Sequence, residues 1–163
     1  MNLKLDTILT IISFICVFAS IIGAVKSNVY AKKAKALLNR DTLKSSLGLV
    51  LEMKGYVDCI RNYKNPALGT KPPRGHNIEN MINEQVSLLK KQFDKMINDL
   101  PPKYEKILTC SNINQTEISK TIAHMLSNSD EVSNENLDKI ESYFLSLEKE
   151  LKKADEQETN ILN

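Results

Sequence analysis

The sequence predicts an all-α protein: a single N-terminal transmembrane helix continues into a cytosolic helix and is followed by a small helical bundle. Three observations lead to this prediction. Residues 7–25 form a run of nineteen residues without a formal charge. Apolar residues after this run recur every three or four positions, which is the spacing of an amphipathic helix. The 163-residue chain has no alternation of apolar and polar residues between hairpin turns, which is the pattern of β-strands.

The uncharged run is long enough to cross a bilayer as a helix. At about 1.5 Å per residue it reaches roughly 28 Å, against about 30 Å for the hydrocarbon core. A cleaved secretory signal is one alternative, but signals have apolar runs of about 7–15 residues and small residues at the cleavage site, whereas the best candidate site here begins with Ile22. A lipoprotein signal needs a small residue before the modified cysteine, and here Ile15 precedes Cys16. A buried helix of a soluble protein is the other alternative.

Basic residues are concentrated on the C-terminal side of the run. Lys4 lies before it, and five basic residues follow it within fifteen positions. These five residues are Lys26, Lys32, Lys33, Lys35 and Arg40. The positive-inside rule places them in the cytoplasm, so we expect a cell-membrane protein with its N-terminus outside and its C-terminal domain cytosolic. The same five residues are predicted to contact anionic lipid headgroups, each at about 1 kcal/mol near the bilayer surface.

The net charge of +2 conceals an asymmetry along the chain. Residues 26–74 contain eleven basic and three acidic residues, a balance of +8, whereas residues 75–163 contain ten basic and sixteen acidic residues, a balance of −6. We therefore expect the acidic half to stand away from an anionic membrane surface. Charges that only solubilise helix faces are the alternative. No nucleic acid is expected as a partner, because the basic residues are spread along a helix without the aromatic platforms that stack bases.

Composition divides the chain into five parts. Residues 1–25 are the N-terminal tail and transmembrane anchor, and residues 26–64 are a basic membrane-proximal helix. A Pro/Gly linker at residues 65–76 contains three Pro and two Gly, which break a helix. An acidic helical bundle is predicted over residues 77–154, and a flexible polar tail over residues 155–163.

The helix after the linker has the clearest apolar face of the predicted bundle. Asn77 is a candidate N-cap, and Pro101 and Pro102 end the helix. Leu89 and Phe93 lie in the middle of its apolar face and are predicted to be core residues. Other apolar positions at helical spacing are Leu43, Leu47, Val50, Leu51, Val57 and Ile60 before the linker, and Ile118, Ile122, Met125, Leu126, Leu137, Ile140, Phe144, Leu147 and Leu151 after it.

Small residues follow one side of the predicted membrane helix. They are Ser13, Cys16, Ser20, Gly23 and Ser27, at alternating spacings of three and four, and we call them the packing seam. Small residues allow helix backbones to approach closely in lipid, where no hydrophobic force drives association. The seam therefore predicts a homo-oligomer, and a narrow pore lined by its polar atoms is a weaker extension. Chance is the alternative, because small residues are common in membrane helices.

No sequence motif for catalysis, a cofactor or a metal is present. The chain contains no GxxxxGK, GxGxxG, HExxH, GxSxG or CxxC pattern. Cys59 and Cys110 are isolated in the sequence, which fits reduced cytosolic cysteines. Glu117, Thr121 and His124 can share one helix face, but no nucleophile or metal-ligand set accompanies them. We therefore expect no enzyme activity, no cofactor and no metal site.

The layout of one helix before a cytosolic helical domain resembles that of several small bacterial membrane effectors. One such family is the pore-forming accessory protein of some RNA-targeting CRISPR systems, whose helical domain resembles HEPN nucleases. The motif of this family is an Arg followed by a His after four to six residues. Neither His76 nor His124 lies at that spacing from Arg40, Arg61 or Arg74, so the resemblance transfers no functional residue.

The sequence favours a non-enzymatic membrane protein whose cytosolic domain mediates self-association or binds an unknown cytosolic protein, as a scaffold, sensor or adaptor. The alternative is a membrane-perturbing or pore-forming effector, such as a bacterial defence or toxin protein. A third class is an enzyme whose site is assembled from residues without a local signature.

Overall fold

The computed structural model describes residues 3–65, 77–109, 114–128 and 131–162. Within these ranges four α-helices follow one another: α1 (Leu3–Lys64), α2 (Ile78–Asp99), α3 (Gln115–Ser127) and α4 (Asn134–Leu162). A 3₁₀ helix, Pro102–Thr109, lies between α2 and α3. No strand occurs within the described ranges, and the predicted all-α class is confirmed. Most of the predicted linker, from residue 66 to 76, lies outside the described residues, as does Cys110.

α1 is one continuous helix of 62 residues, which corresponds to a length of about 93 Å. It passes without interruption from the uncharged run into the basic segment that begins at Lys26, as the sequence predicts. Gly48 and Gly55 lie inside its second half, and a Cβ added at either position would meet no atom within 4 Å. The two glycines therefore mark an uncovered side of α1.

The hydrophobic core is shared by the second half of α1 and by the helices that follow it. α1 packs against α2 and α4, α2 also packs against α3, and α4 contacts the 3₁₀ helix and α3. Leu89 and Phe93 of α2 are fully buried, which confirms the prediction from their spacing. The fully buried side chains that α1 contributes are Leu43, Val50, Met53, Val57 and Ile60. One core therefore unites the membrane-proximal helix with the elements after the linker.

Three aromatic rings lie together in this core. Phe93 of α2 meets Tyr143 and Phe144 of α4, and each of the three pairs of ring centroids is 6.1 Å apart. Edge-on and tilted rings at this distance attract one another beyond the gain from burial alone. The hydroxyl of Tyr143 donates to the carbonyl oxygen of Leu108 at 2.9 Å, so its polar end is satisfied inside the core.

Local side-chain chemistry sets the beginnings of the shorter helices. The Asn77 side chain accepts a hydrogen bond from the backbone N–H of Glu79 at 2.9 Å, so the predicted N-cap of α2 is confirmed. Asn114 caps α3 in the same way, with the backbone N–H of Thr116 as donor at 2.9 Å. Pro102 starts the 3₁₀ helix because a first helical turn does not need its missing N–H.

The end of α4 differs from the flexible tail predicted from residue 155, because the helix continues to Leu162. Ala154 and Glu158 are buried in the fold. The ammonium of Lys33 donates to the carbonyl oxygen of Leu162 at 2.9 Å, which satisfies one of the unpaired carbonyl groups at the helix C-terminus. Contacts with α1 thus keep a polar segment helical that has no strong apolar signal of its own.

α4 runs antiparallel to α1, and ion pairs join the two helices along their length. The pairs are Arg40–Asp155 at 3.2 Å, Lys54–Glu148 at 3.0 Å, Arg61–Asp138 at 2.8 Å and Arg61–Glu141 at 2.7 Å. The acidic α4 therefore lies against the basic segment of α1, with its last turn beside Lys33. The expected separation of the acidic half from an anionic membrane surface stays a prediction. The opposite charges of the two halves partly neutralise each other. Such partly exposed pairs contribute only about 0.2–1 kcal/mol each, so their main effect is on how the two helices align.

Candidate functional site

Residues 12–31 of α1 are all exposed, and no other part of the described chain covers them. Phe14 is 62% exposed and Phe18 is 63% exposed. By length and composition alone, α1 is the one described helix apolar enough to cross a membrane, and none of its most apolar window is buried. A core helix of a soluble protein would be mostly buried, whereas a signal sequence near an N-terminus would have the same composition.

The packing seam lies entirely on this exposed segment. Ser20 donates its hydroxyl to the carbonyl oxygen of Cys16 at 2.8 Å, and a Cβ added at Gly23 would meet no atom within 4 Å. At about 100° per residue the five seam positions fit within an arc of about 80°. The same geometry places the centre of this arc about 120° around α1 from the side that faces the bundle. A second helix therefore has access to the seam without displacing the bundle.

The five predicted lipid-contact residues divide into two groups. Lys33 is held by the carbonyl oxygen of Leu162, and the guanidinium of Arg40 is paired with Asp155 at 3.2 Å. Both of these side chains are thus engaged by α4. The other three are exposed and have no ion-pair partner in the part of the chain that the structure describes; they are Lys26, Lys32 and Lys35.

A surface cavity of about 260 Å³ lies where the last turns of α4 meet α1. We call it the basic cavity. Its lining residues are Lys32, Lys35, Ala36 and Asn39 of α1, Lys103 of the 3₁₀ helix, and Glu158 and Ile161 of α4. The fold therefore brings two of the predicted lipid-contact lysines together with a third lysine from a distant part of the sequence.

Glu158 is the buried acidic group of the basic cavity, with only 2% of its side chain exposed. Its Oε1 atom accepts hydrogen bonds from the ammonium of Lys103, the hydroxyl of Tyr104 and, at 3.3 Å, the amide of Asn39. Burial raises the pKa of Glu158, but hydrogen bonds from Lys103 and Tyr104 outweigh burial and hold the pKa below its ordinary value. The carboxylate is therefore ionised at neutral pH, and the charge of Lys103 compensates it.

The neighbouring groups respond to the same carboxylate. The hydrogen bond to Glu158 raises the pKa of Lys103. Burial, and then the hydrogen bond to Glu158, raise the pKa of Tyr104. Lys103 and Tyr104 are accordingly a cation and a neutral phenol at physiological pH, and both act as hydrogen-bond donors to Glu158.

Sequence reasoning did not select Lys103 or Glu158 as site residues. Glu158 follows Leu151 by seven positions and Ala154 by four, so it continues the buried face of α4, and this spacing was a usable signal. No such signal exists for Lys103, because its partner is 55 residues away in the sequence and on another helix.

Glu117, Thr121 and His124, which can share one helix face, lie on α3. The carboxylate of Glu117 pairs with Lys139 of α4, and Thr121 donates its hydroxyl to the backbone carbonyl of Glu117 at 3.0 Å. His124 is exposed on α3, and Cys59 is exposed on α1. Across the described ranges, no three His, Cys, Asp or Glu side chains come together as metal ligands.

No protein-family model, curated protein or solved structure matches this chain. The function is therefore inferred from the exposed helix, the packing seam and the basic cavity.

Proposed function

We propose that this chain is a non-enzymatic single-pass membrane protein whose cytosolic helical domain mediates self-association or partner binding, as a scaffold, sensor or adaptor. The observation that supports the proposal most is the continuity of α1. One helix carries both the exposed apolar segment and five fully buried positions of the core. Because no flexible joint separates them, the position of the membrane segment determines the position of the bundle.

In the proposed topology α1 enters the cytosol at Lys26, in accordance with the positive-inside rule. From Lys26 onward the first buried position of α1 is Ala36, ten residues further on and about 15 Å along the helix axis. The headgroup layer occupies about 5–8 Å on each side of a bilayer. The bundle therefore lies close to the membrane surface, with the last turn of α4 directed toward it.

Self-association through the packing seam follows from the same geometry. The seam and the bundle lie on different sides of α1, so two parallel copies can pair along the seam with their bundles outside the contact. Gly23 is central to this contact because its missing side chain permits close backbone approach. A β-branched side chain at this position would hold the two backbones apart.

Disulfide crosslinking in membranes tests the pairing, because a symmetric parallel dimer brings two copies of Cys16 together. We expect an oxidised dimer that depends on Cys16 and persists when Cys59 and Cys110 are replaced by Ser. Gly23→Ile should weaken it, while the control Ile22→Leu should not. If no dimer forms and Gly23→Ile changes neither oligomer size nor activity, the seam does not mediate association. The protein is then a monomer that α1 anchors in the membrane.

A membrane-perturbing or pore-forming effector is the second candidate. It is favoured by the polar seam residues Ser20 and Ser27, which are exposed on an otherwise apolar helix. A potential-sensitive dye in a bacterial host distinguishes the candidates. A scaffold leaves the membrane potential intact after expression, whereas a pore-forming effector collapses it, and Gly23→Ile should then restore it.

A further inference from the structure

The basic cavity has the charge of an anion-binding site. Three lysines line it, and Oε1 of the single carboxylate, Glu158, accepts hydrogen bonds from Lys103, Tyr104 and Asn39. Lys32 and Lys35 have no ion-pair partner in the described ranges, so no described acidic group compensates their two positive charges at the cavity. An anion there would meet two exposed ammonium groups, together with a buried carboxylate whose charge is paired with Lys103.

The position of the cavity along α1 indicates where that anion comes from. Lys32 and Lys35 follow Lys26 by six and nine residues, which is about 9 and 14 Å along the helix axis. Side chains on a helix lean toward its N-terminus, which in the proposed topology is the membrane side. Long lysine side chains also extend toward an interface, so both ammonium groups come within reach of the headgroup layer.

The apolar edge of the cavity fits the same source. Ile161, in the last turn of α4, is 48% exposed and lines the cavity beside Lys32 and Lys35. An exposed apolar side chain next to unpaired cations is suited to a ligand that is anionic at one end and apolar at the other. A free phosphate ion has no apolar part that could contact Ile161.

We propose that the basic cavity binds the phosphate group of an anionic lipid headgroup in the cytosolic leaflet, through Lys32 and Lys35. This inference rests on the proposed topology and deepens it. In place of a diffuse attraction between five basic residues and the anionic membrane surface, each chain then has one discrete lipid-binding site. Lys103 and Glu158 are positioning residues, because their pairing fixes the 3₁₀ helix and α4 at the wall of the cavity.

Native mass spectrometry of the full-length protein in detergent tests the site by counting the lipids it retains. We expect one phosphatidylglycerol per chain to be retained at concentrations at which phosphatidylcholine is not. Lys32→Gln/Lys35→Gln should weaken retention about 25-fold, because each lysine contributes roughly fivefold near a surface. The control Lys44→Gln/Lys91→Gln removes the same charge from exposed positions outside the cavity and should retain phosphatidylglycerol like the wild type.

Several outcomes distinguish the source of the anion. Inorganic phosphate that competes with retained phosphatidylglycerol supports recognition of the phosphate group. Binding of inorganic phosphate without lipid retention overturns the lipid headgroup as ligand. Equal retention of phosphatidylcholine, or an equal loss in the control variant, overturns the discrete site. Extraction of membranes with sodium carbonate tests membrane anchoring independently of lipid retention. A protein that resists extraction but retains no phosphatidylglycerol therefore overturns the cavity proposal and leaves the proposed membrane anchor standing.

Discussion

Replacing Phe93 with Ala probes the core that unites α1 with the bundle. Phe93 is fully buried and contacts both Tyr143 and Phe144. Truncation of a buried Phe costs about 3–5 kcal/mol, since it removes apolar burial and leaves a cavity. The loss of two aromatic contacts, each about 0.5–1.5 kcal/mol, favours the upper part of that range. This is a large fraction of the roughly 5–15 kcal/mol that stabilises a typical domain.

Thermal unfolding of the full-length protein in detergent, followed by circular dichroism, measures this loss. We expect Phe93→Ala to lower Tm by more than about 10 °C. Leu145→Ala is the matched control, because Leu145 is an apolar residue of α4 that is 50% exposed. Its substitution should change the free energy of unfolding by no more than about 0.5 kcal/mol. Equal shifts in the two variants would mean that Phe93 is not a core residue and that the packing of α2 against α4 is misassigned.

The remaining predictions concern the cavity and α1. Because the pKa of Glu158 is lowered in the folded state, its contribution to stability is present above its ordinary value of 4.5 and is lost as pH falls through the folded value. Tm should therefore fall on acidification, and less so in Glu158→Gln; an identical pH dependence in both proteins would contradict the assignment. A fragment of residues 77–163 should show no cooperative melt, because it lacks five buried side chains of α1 worth about 8–15 kcal/mol together, whereas residues 26–163 should melt cooperatively. Gly55→Ala should raise the free energy of unfolding by about 0.5–1 kcal/mol, because the added methyl group enters open space and favours the helix; destabilisation would show that this side of α1 is covered.

Sequence periodicity located the helices and the centre of the core, because apolar residues at helical spacing can be recognised within a short stretch of sequence. The N-cap Asn77 and the core residue Phe93 could each be assigned from such a local pattern. The return of α4 along α1 could not, since the pairing of Arg40 with Asp155 joins residues 115 positions apart. The helical end of α4 was missed although the spacing of Glu158 from Leu151 and Ala154 continues the buried face, because Glu158 is polar and its burial depends on donors from α1 and the 3₁₀ helix. The basic cavity exists only through these long-range contacts.

Labelling of Cys59 in inside-out membrane vesicles tests the membrane-anchored topology most directly. Cys59 is exposed on the bundle, and replacing Cys110 with Ser leaves Cys59 and Cys16 as the remaining cysteines. After the vesicles are washed with sodium carbonate, the proposed topology predicts that the protein stays in the membrane pellet. It also predicts that a membrane-impermeant maleimide labels Cys59 without detergent. Release of the protein into the carbonate wash, or protection of Cys59 until detergent is added, would contradict it.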